Sequence, residues 1–216
     1  MKKCWVALLT TIGLTAVGKI KARPPNSELT KCTTMNKKII VVASSPNRSK
    51  PHVICGAILS ECGTYRYQLW RIWDATKPLV LWIMHNPSTA DASKDDPTIR
   101  RVIGFTKEWG YGGIYVGNLF PFRATDPKEL LNKSFEEIAP LENFKHTNEM
   151  KMKCGLYVLA YGNPIVKDAA PEMFDADWMA LKLTKSGNPC HPLYLKSDLK
   201  PSLIEVLRHL HRPDFG

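Results

Sequence analysis

Residues 79–91 have the sequence LVLWIMHNPSTAD, in which an unbroken apolar run stops at a polar segment. The run is short for a helix, and its residues suit a strand that is covered on both faces of a parallel sheet. The polar segment therefore lies at the carboxyl end of a buried strand. Open α/β sheets bind their ligands at that end of the strands. This stretch predicts both the fold class and the location of a site.

A well-specified helix follows this strand. Asp96 can cap it, Pro97 takes the first helical position, and Gly110 follows the last apolar residue. These signals predict a helix over residues 97–109. Free N–H groups at its start can bind an anion, although the Asp95 and Asp96 carboxylates would compete for the same donors.

Strands and polar turns recur along the rest of the chain. The pattern predicts strands over 113–120, 155–161 and 178–184, and helices over 141–153, 166–176 and 200–210. Strands separated by helices favour parallel pairing, whereas the short connection between 52–59 and 65–73 favours an antiparallel hairpin. The expected fold is α/β, with three layers (α/β/α), a mostly parallel central sheet and an antiparallel edge hairpin.

The N-terminal 34 residues differ from the rest. A Lys2-Lys3 pair precedes an apolar run that has the outline of a secretory signal peptide and is too short for a secure transmembrane helix, while Met35 offers an alternative start. We expect residues 1–34 to be a signal-like or over-extended segment and residues 35–216 to form a single α/β domain. A cytoplasmic location is favoured. Export follows if residues 1–34 act as a signal peptide, and membrane contact only if they are retained as an anchor.

Charge and cysteine content restrict the partners. The net charge is +10, but residues 1–34 supply half of it, which leaves 24 basic and 19 acidic residues in the remainder. This mild excess allows contacts with phosphates without requiring them. The cysteines form no C-x-x-C pair and no zinc spacing with the histidines, so we expect reduced thiols, no metal and no cofactor.

The candidate site residues follow the predicted strands or lie in the polar loops. The catalytic candidates are Asn86, Asp91 and His191. The candidates for substrate binding are Pro87, Ser88, Thr89, Arg100, Asn118, Arg123, Lys185, Tyr65 and Arg66. A carboxylate or an imidazole can move a proton, an amide can position water, and arginine or lysine can bind a phosphate.

Structural roles are the alternative for each candidate. Asn86 also fits a turn before proline, Asp91 an Asx turn or cap, and Ser88 and Thr89 a capped loop. One of Arg100 and Arg101 can pair with Asp95 or Asp96, Arg123 can close a turn with Asp126, and Tyr65 can pack on the sheet.

Several longer segments carry a family resemblance. They are residues 60–67, 86–91, 95–101, 109–113, 118–120, 123–127 and 191–194. In these segments the chain resembles the bacterial and phage family catalogued as domain of unknown function 1643, over roughly residues 53–195. That family has no assigned activity, so the resemblance indicates a site more than a reaction.

Two short motifs carry a second resemblance. Residues 83–88 and 190–193 are similar to the first and second motifs of the uracil-DNA glycosylase superfamily, although Met84 replaces a glycine of the first motif. The resemblance implies an α/β/α fold and hydrolysis of a nucleobase–sugar bond. Asn86 would then hold the attacking water, with Asp91 as the alternative base, His191 would donate to the departing base, and Asn118 would read the edge of that base.

Three functions follow from these observations. The first is an enzyme that acts on a nucleobase–sugar bond in nucleic acid or a nucleotide. The second is a non-catalytic module that binds nucleic acid or a nucleotide through its basic side chains. The third is a protein-interaction domain.

Overall fold

The computed structural model describes residues 37–40, 53–88, 90, 94–166 and 177–211. Its strands are β1 (Lys37–Ile40), β2 (Ile54–Ser60), β3 (Arg66–Ile72), β4 (Leu79–Met84), β5 (Gly113–Asn118), β6 (Leu156–Leu159), β7 (Met179–Ala180) and β8 (Ser202–Leu203). Its α-helices are α1 (Pro97–Glu108), α2 (Phe135–Ile138), α3 (Glu142–Lys151) and α4 (Ile204–His211), and 3₁₀ turns span Pro127–Asn132 and Pro192–Tyr194. The predicted α/β class is confirmed.

The strands form one mixed sheet in the order β1-β2-β3-β5-β4-β6-β7-β8. The pairs β4–β5, β4–β6 and β6–β7 are parallel, and the other described pairs are antiparallel. The prediction of a mostly parallel sheet is therefore wrong, because β1, β3 and β8 add antiparallel pairs on both sides of a parallel centre. Strands β2 and β3 pair antiparallel, but β1 lies outside β2, so another strand forms that edge.

The chain reverses its direction across the sheet at β4. From β4 it passes through α1 to β5, and from β5 it passes through α2 and α3 to β6, on the other side of β4. Crossovers that run in opposite directions leave a crevice at the carboxyl ends of the strands. The sheet order thus creates a place for a ligand beside the loop that follows β4.

Strand β4 is buried on both faces, as its apolar sequence predicts. Val80 and Trp82 belong to one core cluster, together with Phe105 of α1. Leu81 and Ile83 belong to another cluster, together with residues of α3 and α4. Successive side chains of a strand point to opposite faces, so this strand contributes to both clusters. The three-layer arrangement of the whole molecule remains a prediction.

Helix α1 has the start that the sequence predicts. Pro97 is its first residue, and the Asp96 carboxylate accepts a hydrogen bond from the N–H of Ile99 at 2.8 Å. Helix α4 begins at Ile204, later than predicted, because Ser202–Leu203 pairs with β7. Only two residues of the predicted strand 178–184 form a strand.

Two predicted segments lie outside the described residues: residues 1–34 and nearly all of the predicted helix 166–176. Among the described residues, no helix is long and apolar enough to cross a membrane.

The cysteines differ from the expectation at one position. Cys55, Cys154 and Cys190 are not in a disulfide, whereas Cys62 is disulfide-bonded, so the expectation of reduced thiols is wrong for Cys62. Cysteine spacing in a sequence does not show which thiols meet in three dimensions. The described part of the chain holds no group of three or more His, Cys, Asp or Glu residues placed to bind a metal ion.

Candidate functional site

A cavity of about 370 Å³ opens where β4, β5 and β6 end. Its polar wall comprises Arg66, His85, Asn86, Ser88, Asp96, Thr98, Asn118, Thr125, Asn163 and His191. Five residues that the sequence predicts for the site are therefore brought together: Arg66, Asn86, Ser88, Asn118 and His191. They come from distant parts of the chain and meet because β3, β4 and β5 are neighbours in the sheet.

The Asn86 side chain holds the loop that follows β4. Its Nδ2 donates to the carbonyl oxygens of Ala124 at 2.9 Å and Pro87 at 3.2 Å, and its Oδ1 lies 2.9 Å from His85 Nδ1. An amide has two N–H donors, and both are used. The side chain is thus committed to the protein, which favours the turn role of Asn86 over a role in holding water.

His85 is held as a neutral imidazole. Because the Asn86 Oδ1 accepts, His85 Nδ1 carries the proton, and Nε2 accepts from the N–H of Ile165 at 3.3 Å. Burial lowers the pKa of His85, and the hydrogen bond to Asn86 offsets this only in part. These contacts and its burial make His85 a packed histidine.

Asp96 is the carboxylate of the cavity wall. Its Oδ1 caps α1, and its Oδ2 accepts a hydrogen bond from Ser88 Oγ at 2.7 Å. Two contacts on two oxygens fix the orientation of the carboxylate while it lines the cavity. Sequence analysis gave Asp96 as a cap, a competitor for the helix N–H donors and an ion-pair partner of Arg100 or Arg101, but not as a site residue, since the distance between Ser88 and Asp96 depends on how the loop folds.

His191 lies on the cavity wall with one ring nitrogen committed. Its Nδ1 accepts from the N–H of Leu193 at 3.4 Å, so the neutral ring carries its proton on Nε2. Burial lowers the pKa of His191, the Asp96 carboxylate raises it in part, and His85 lowers it further. His191 therefore offers an N–H donor at neutral pH.

Arg66 and Asn118 form a buried pair at the cavity. Arg66 is 3% exposed and Asn118 is 2% exposed. Arg66 donates to the carbonyl oxygen of Ala90 at 2.7 Å and to Asn118 Oδ1 at 3.4 Å. The guanidinium can only donate, so the oxygen of the Asn118 amide must face it.

Asn118 lines the cavity, and the nitrogen of its amide differs from the oxygen in its contacts. Asn118 Nδ2 has no hydrogen-bond partner among the described residues, although it is buried. A buried donor without a partner costs about 1–3 kcal/mol. A ligand with an acceptor atom, such as a carbonyl oxygen, would recover that free energy.

The remaining candidates lie away from the cavity or outside the described residues. Arg100 is exposed and donates to the carbonyl oxygen of Asp95 at 2.6 Å, and Arg123 donates to that of Gly63 at 3.1 Å. The Tyr65 hydroxyl donates to the carbonyl oxygen of Glu137 at 2.9 Å. Lys185, which is exposed, and Pro87, which is buried, also do not line the cavity. Thr89 and Asp91 lie outside the described residues.

The pairing of Asp95 differs from the sequence interpretation. Its carboxylate binds Arg71, which is 2% exposed, at 2.9 Å, while Arg100 contacts only its backbone. Asp95 does not line the cavity, whereas Asp96 does. The adjacent carboxylates thus have different roles, one in an ion pair with the sheet and one at the site.

The cavity can support proton transfer and recognition of a polar ligand. The Asp96 carboxylate and the neutral His191 imidazole can accept or donate protons and hydrogen bonds. Both line the same cavity as Asn118, which has a buried amide donor.

Residues 66–193 match the model of a family described as protein of unknown function (DUF1643). No curated protein and no solved structure matches the chain.

Proposed function

The chain belongs to this family of proteins of unknown function, DUF1643, and we propose that it is a hydrolase that cleaves the bond between a nucleobase and a sugar. The observation that carries the proposal is the set of groups at one cavity: the Asp96 carboxylate, the His191 imidazole and the unpaired N–H of Asn118. Cavities of roughly 300–1,000 Å³ are typical of small-molecule sites. The cavity volume of about 370 Å³ suits a base with its sugar.

The proposed reaction is an attack by water on the sugar carbon. The water oxygen forms a bond to that carbon while the carbon–nitrogen bond breaks, and the electron pair of that bond leaves with the base. Asp96 accepts the proton that the water loses and later returns it to solvent. The base takes a proton from solvent after its release, so the products are the free sugar hydroxyl and the neutral base.

His191 and Asn118 act on the departing base in this proposal. The Nε2–H of a neutral His191 donates a hydrogen bond to the base as negative charge develops on it. Asn118 Nδ2 donates to an acceptor on the edge of the base. Preorganised donors of this kind lower the barrier because they need little reorganisation during the reaction.

Asp96 replaces Asn86 as the group that activates water, because the Asn86 amide is committed to Pro87 and Ala124. Asp91, outside the described residues, stays the alternative base. The similarity of residues 83–88 and 190–193 to two glycosylase motifs supports the proposal at the level of short motifs.

The test is release of free base by the purified full chain. Substrates are DNA and RNA that carry uracil, hypoxanthine or modified pyrimidines, and the matching nucleosides and nucleotides, with mass spectrometry as the readout. Asp96→Asn is expected to lower kcat about 10²- to 10⁴-fold, as is typical for loss of an acid–base group. His191→Ala should also lower kcat, since alanine has no N–H to donate to the departing base.

Asp126→Asn is the matched control. Asp126 is also an N-cap before a proline, its side chain accepting from the N–H of Lys128, and it does not line the cavity. The Asp126→Asn variant should therefore release base at the wild-type rate. Absence of release from every substrate would contradict the hydrolase, and full activity of Asp96→Asn would exclude Asp96 as the base.

A further inference from the structure

An exposed tyrosine lies three residues after the cavity wall. Tyr194 is 90% exposed, on the 3₁₀ turn whose N-cap is His191. The backbone after it is held against α1, because Arg101 donates to the carbonyl oxygen of Leu195 and Trp109 Nε1 donates to that of Leu199 at 3.0 Å. The turn is thus anchored on both sides while the ring stands in solvent.

Two exposed cations lie on segments that join the cavity wall. Lys185 is in a loop that is tied to the wall residue Asn163, whose Oδ1 accepts from Thr184 Oγ1 at 2.9 Å and Asn188 Nδ2 at 3.2 Å. Arg100 follows the wall residue Ile99 in the first turn of α1. Lys196 adds a third exposed cation, two residues after Tyr194.

The segment beyond another wall residue, Thr125, has the opposite charge. Residues 126–137 carry the acidic side chains Asp126, Glu129, Glu136 and Glu137 against Lys128 and Lys133. A polyanion is therefore repelled from this segment, whereas Lys185, Arg100 and Lys196 present positive charge to solvent. Exposed cations attract an extended anionic ligand.

We propose that Arg100, Lys185, Tyr194 and Lys196 form a binding surface for a single-stranded polynucleotide, so that the base in the cavity belongs to a strand. We call these four residues the strand surface. The inference rests on the proposed function and adds the substrate class. The cations neutralise backbone phosphates, and a neighbouring base stacks on the Tyr194 ring. Stacking accepts any base, so this surface binds a strand without reading its sequence.

The experiment measures binding of labelled oligodeoxythymidylate and oligouridylate, each roughly 12 nucleotides long, to the full chain by fluorescence anisotropy. The affinity should fall between about 50 and 200 mM salt. Tyr194→Ala should weaken binding about 5- to 150-fold, the range known for loss of one base–aromatic contact. Lys185→Gln should reduce the slope of log affinity against log salt by about 0.7.

Matched controls come from the acidic segment. Phe135 is 54% exposed and Lys128 is also exposed, and neither lines the cavity. Phe135→Ala and Lys128→Gln should therefore bind both oligonucleotides like the wild type.

The outcomes separate this surface from the proposed chemistry. Salt-independent binding, no binding, or wild-type affinity of Tyr194→Ala would overturn the strand surface, even if free nucleosides are cleaved. Binding through Tyr194 without base release would support the surface and overturn the hydrolase. Asp96→Asn should lower base release while it keeps its affinity for the strand, because Asp96 acts on the attacking water and is not part of the strand surface.

Discussion

At the scale of single residues, the cavity depends on which atoms the protein itself already uses. Both N–H groups of Asn86 are taken by backbone carbonyls, whereas Asn118 keeps one buried N–H without a partner among the described residues. Asn86 follows the end of β4 by two residues, whereas Asn118 is the last residue of β5 and lies opposite Met84 in the register. Their hydrogen bonds separate the residue that holds a loop from the one that we propose to bind a ligand.

A pH dependence of stability follows from His85. Its lowered pKa means that the unfolded chain binds a proton more readily than the folded protein does. The free energy of unfolding is therefore highest above pH 6.5, the ordinary pKa of histidine, and decreases as the pH falls below it. Protonation of Nε2 would also break its hydrogen bond with Ile165.

Urea unfolding at pH 7.5 and 5.5 measures this effect. The wild type should lose stability at the lower pH, by at most about 1.4 kcal/mol per pH unit for each such histidine. His85→Gln should show a smaller pH dependence, although it is less stable at both values. An unchanged pH dependence in the variant would show that His85 does not titrate as described. His191 also has a lowered pKa and should account for part of the remaining slope.

At the scale of elements, helix α1 connects the core to the site. Its inner side packs Val102 and Phe105 against β4, and Trp82 Nε1 donates to Thr106 Oγ1 at 3.1 Å. Its first residues bring Asp96 to the cavity. The apolar spacing and the Asp-Pro start that predicted the helix thus also position the carboxylate that we propose as the base.

Gly104 tests whether α1 can be stabilised without disturbing the site. It lies mid-helix, is exposed, and a Cβ there would meet no atom within 4 Å. Gly104→Ala should raise the free energy of unfolding by about 1 kcal/mol, since alanine is the better helix former. Base release should stay at the wild-type rate. Chemical denaturation measures the free energy of unfolding, and mass spectrometry measures the rate of base release.

Gly112→Ala is the contrasting variant. A Cβ at this position would lie 1.9 Å from the carbonyl oxygen of Asp74, which is backbone and cannot easily move. This substitution should destabilise the protein. Equal effects of the two alanine variants would contradict this account, because helix propensity and backbone clash predict opposite signs.

At the scale of the whole molecule, the cavity is assembled from distant parts of the chain. Its wall includes Arg66 from β3, Asn86 from the loop after β4, Asn118 from β5 and His191 from the C-terminal region. Unfolding would separate these residues, so a ligand that binds here binds only the folded state. Binding at the cavity and stability of the fold are therefore linked.

Ligand-induced thermal stabilisation measures that link. A nucleobase or nucleoside that binds at the cavity should raise the free energy of unfolding by about 2.7 kcal/mol at one hundred times its Kd. For a chain of this size the corresponding increase in Tm is about 5–10 °C. Asn118→Ala should show a smaller increase at the same ligand concentration, because it lacks the N–H donor. An equal shift in both proteins would place the ligand elsewhere.

Several features could be predicted from the sequence because their physical causes are local. The apolar run 79–84 indicates burial on both faces, and the Asp96-Pro97 pair marks the start of α1. The strands β2, β3 and β5 also lie within or beside their predicted ranges. Short elements were missed, such as β8, because two residues carry too little periodicity to be recognised.

Sequence alone accounts for the α/β class, the buried strand β4, the capped helix α1 and the polar segments from which a site could be built. The folded chain was needed to find the antiparallel pair of β3 with β5, the ion pair of Arg71 with Asp95, the commitment of the Asn86 amide and the placement of Asp96 beside Ser88. The physical reason is the range of the interactions. Caps and apolar periodicity act between residues a few positions apart, whereas strand order and side-chain pairing join residues far apart in the chain.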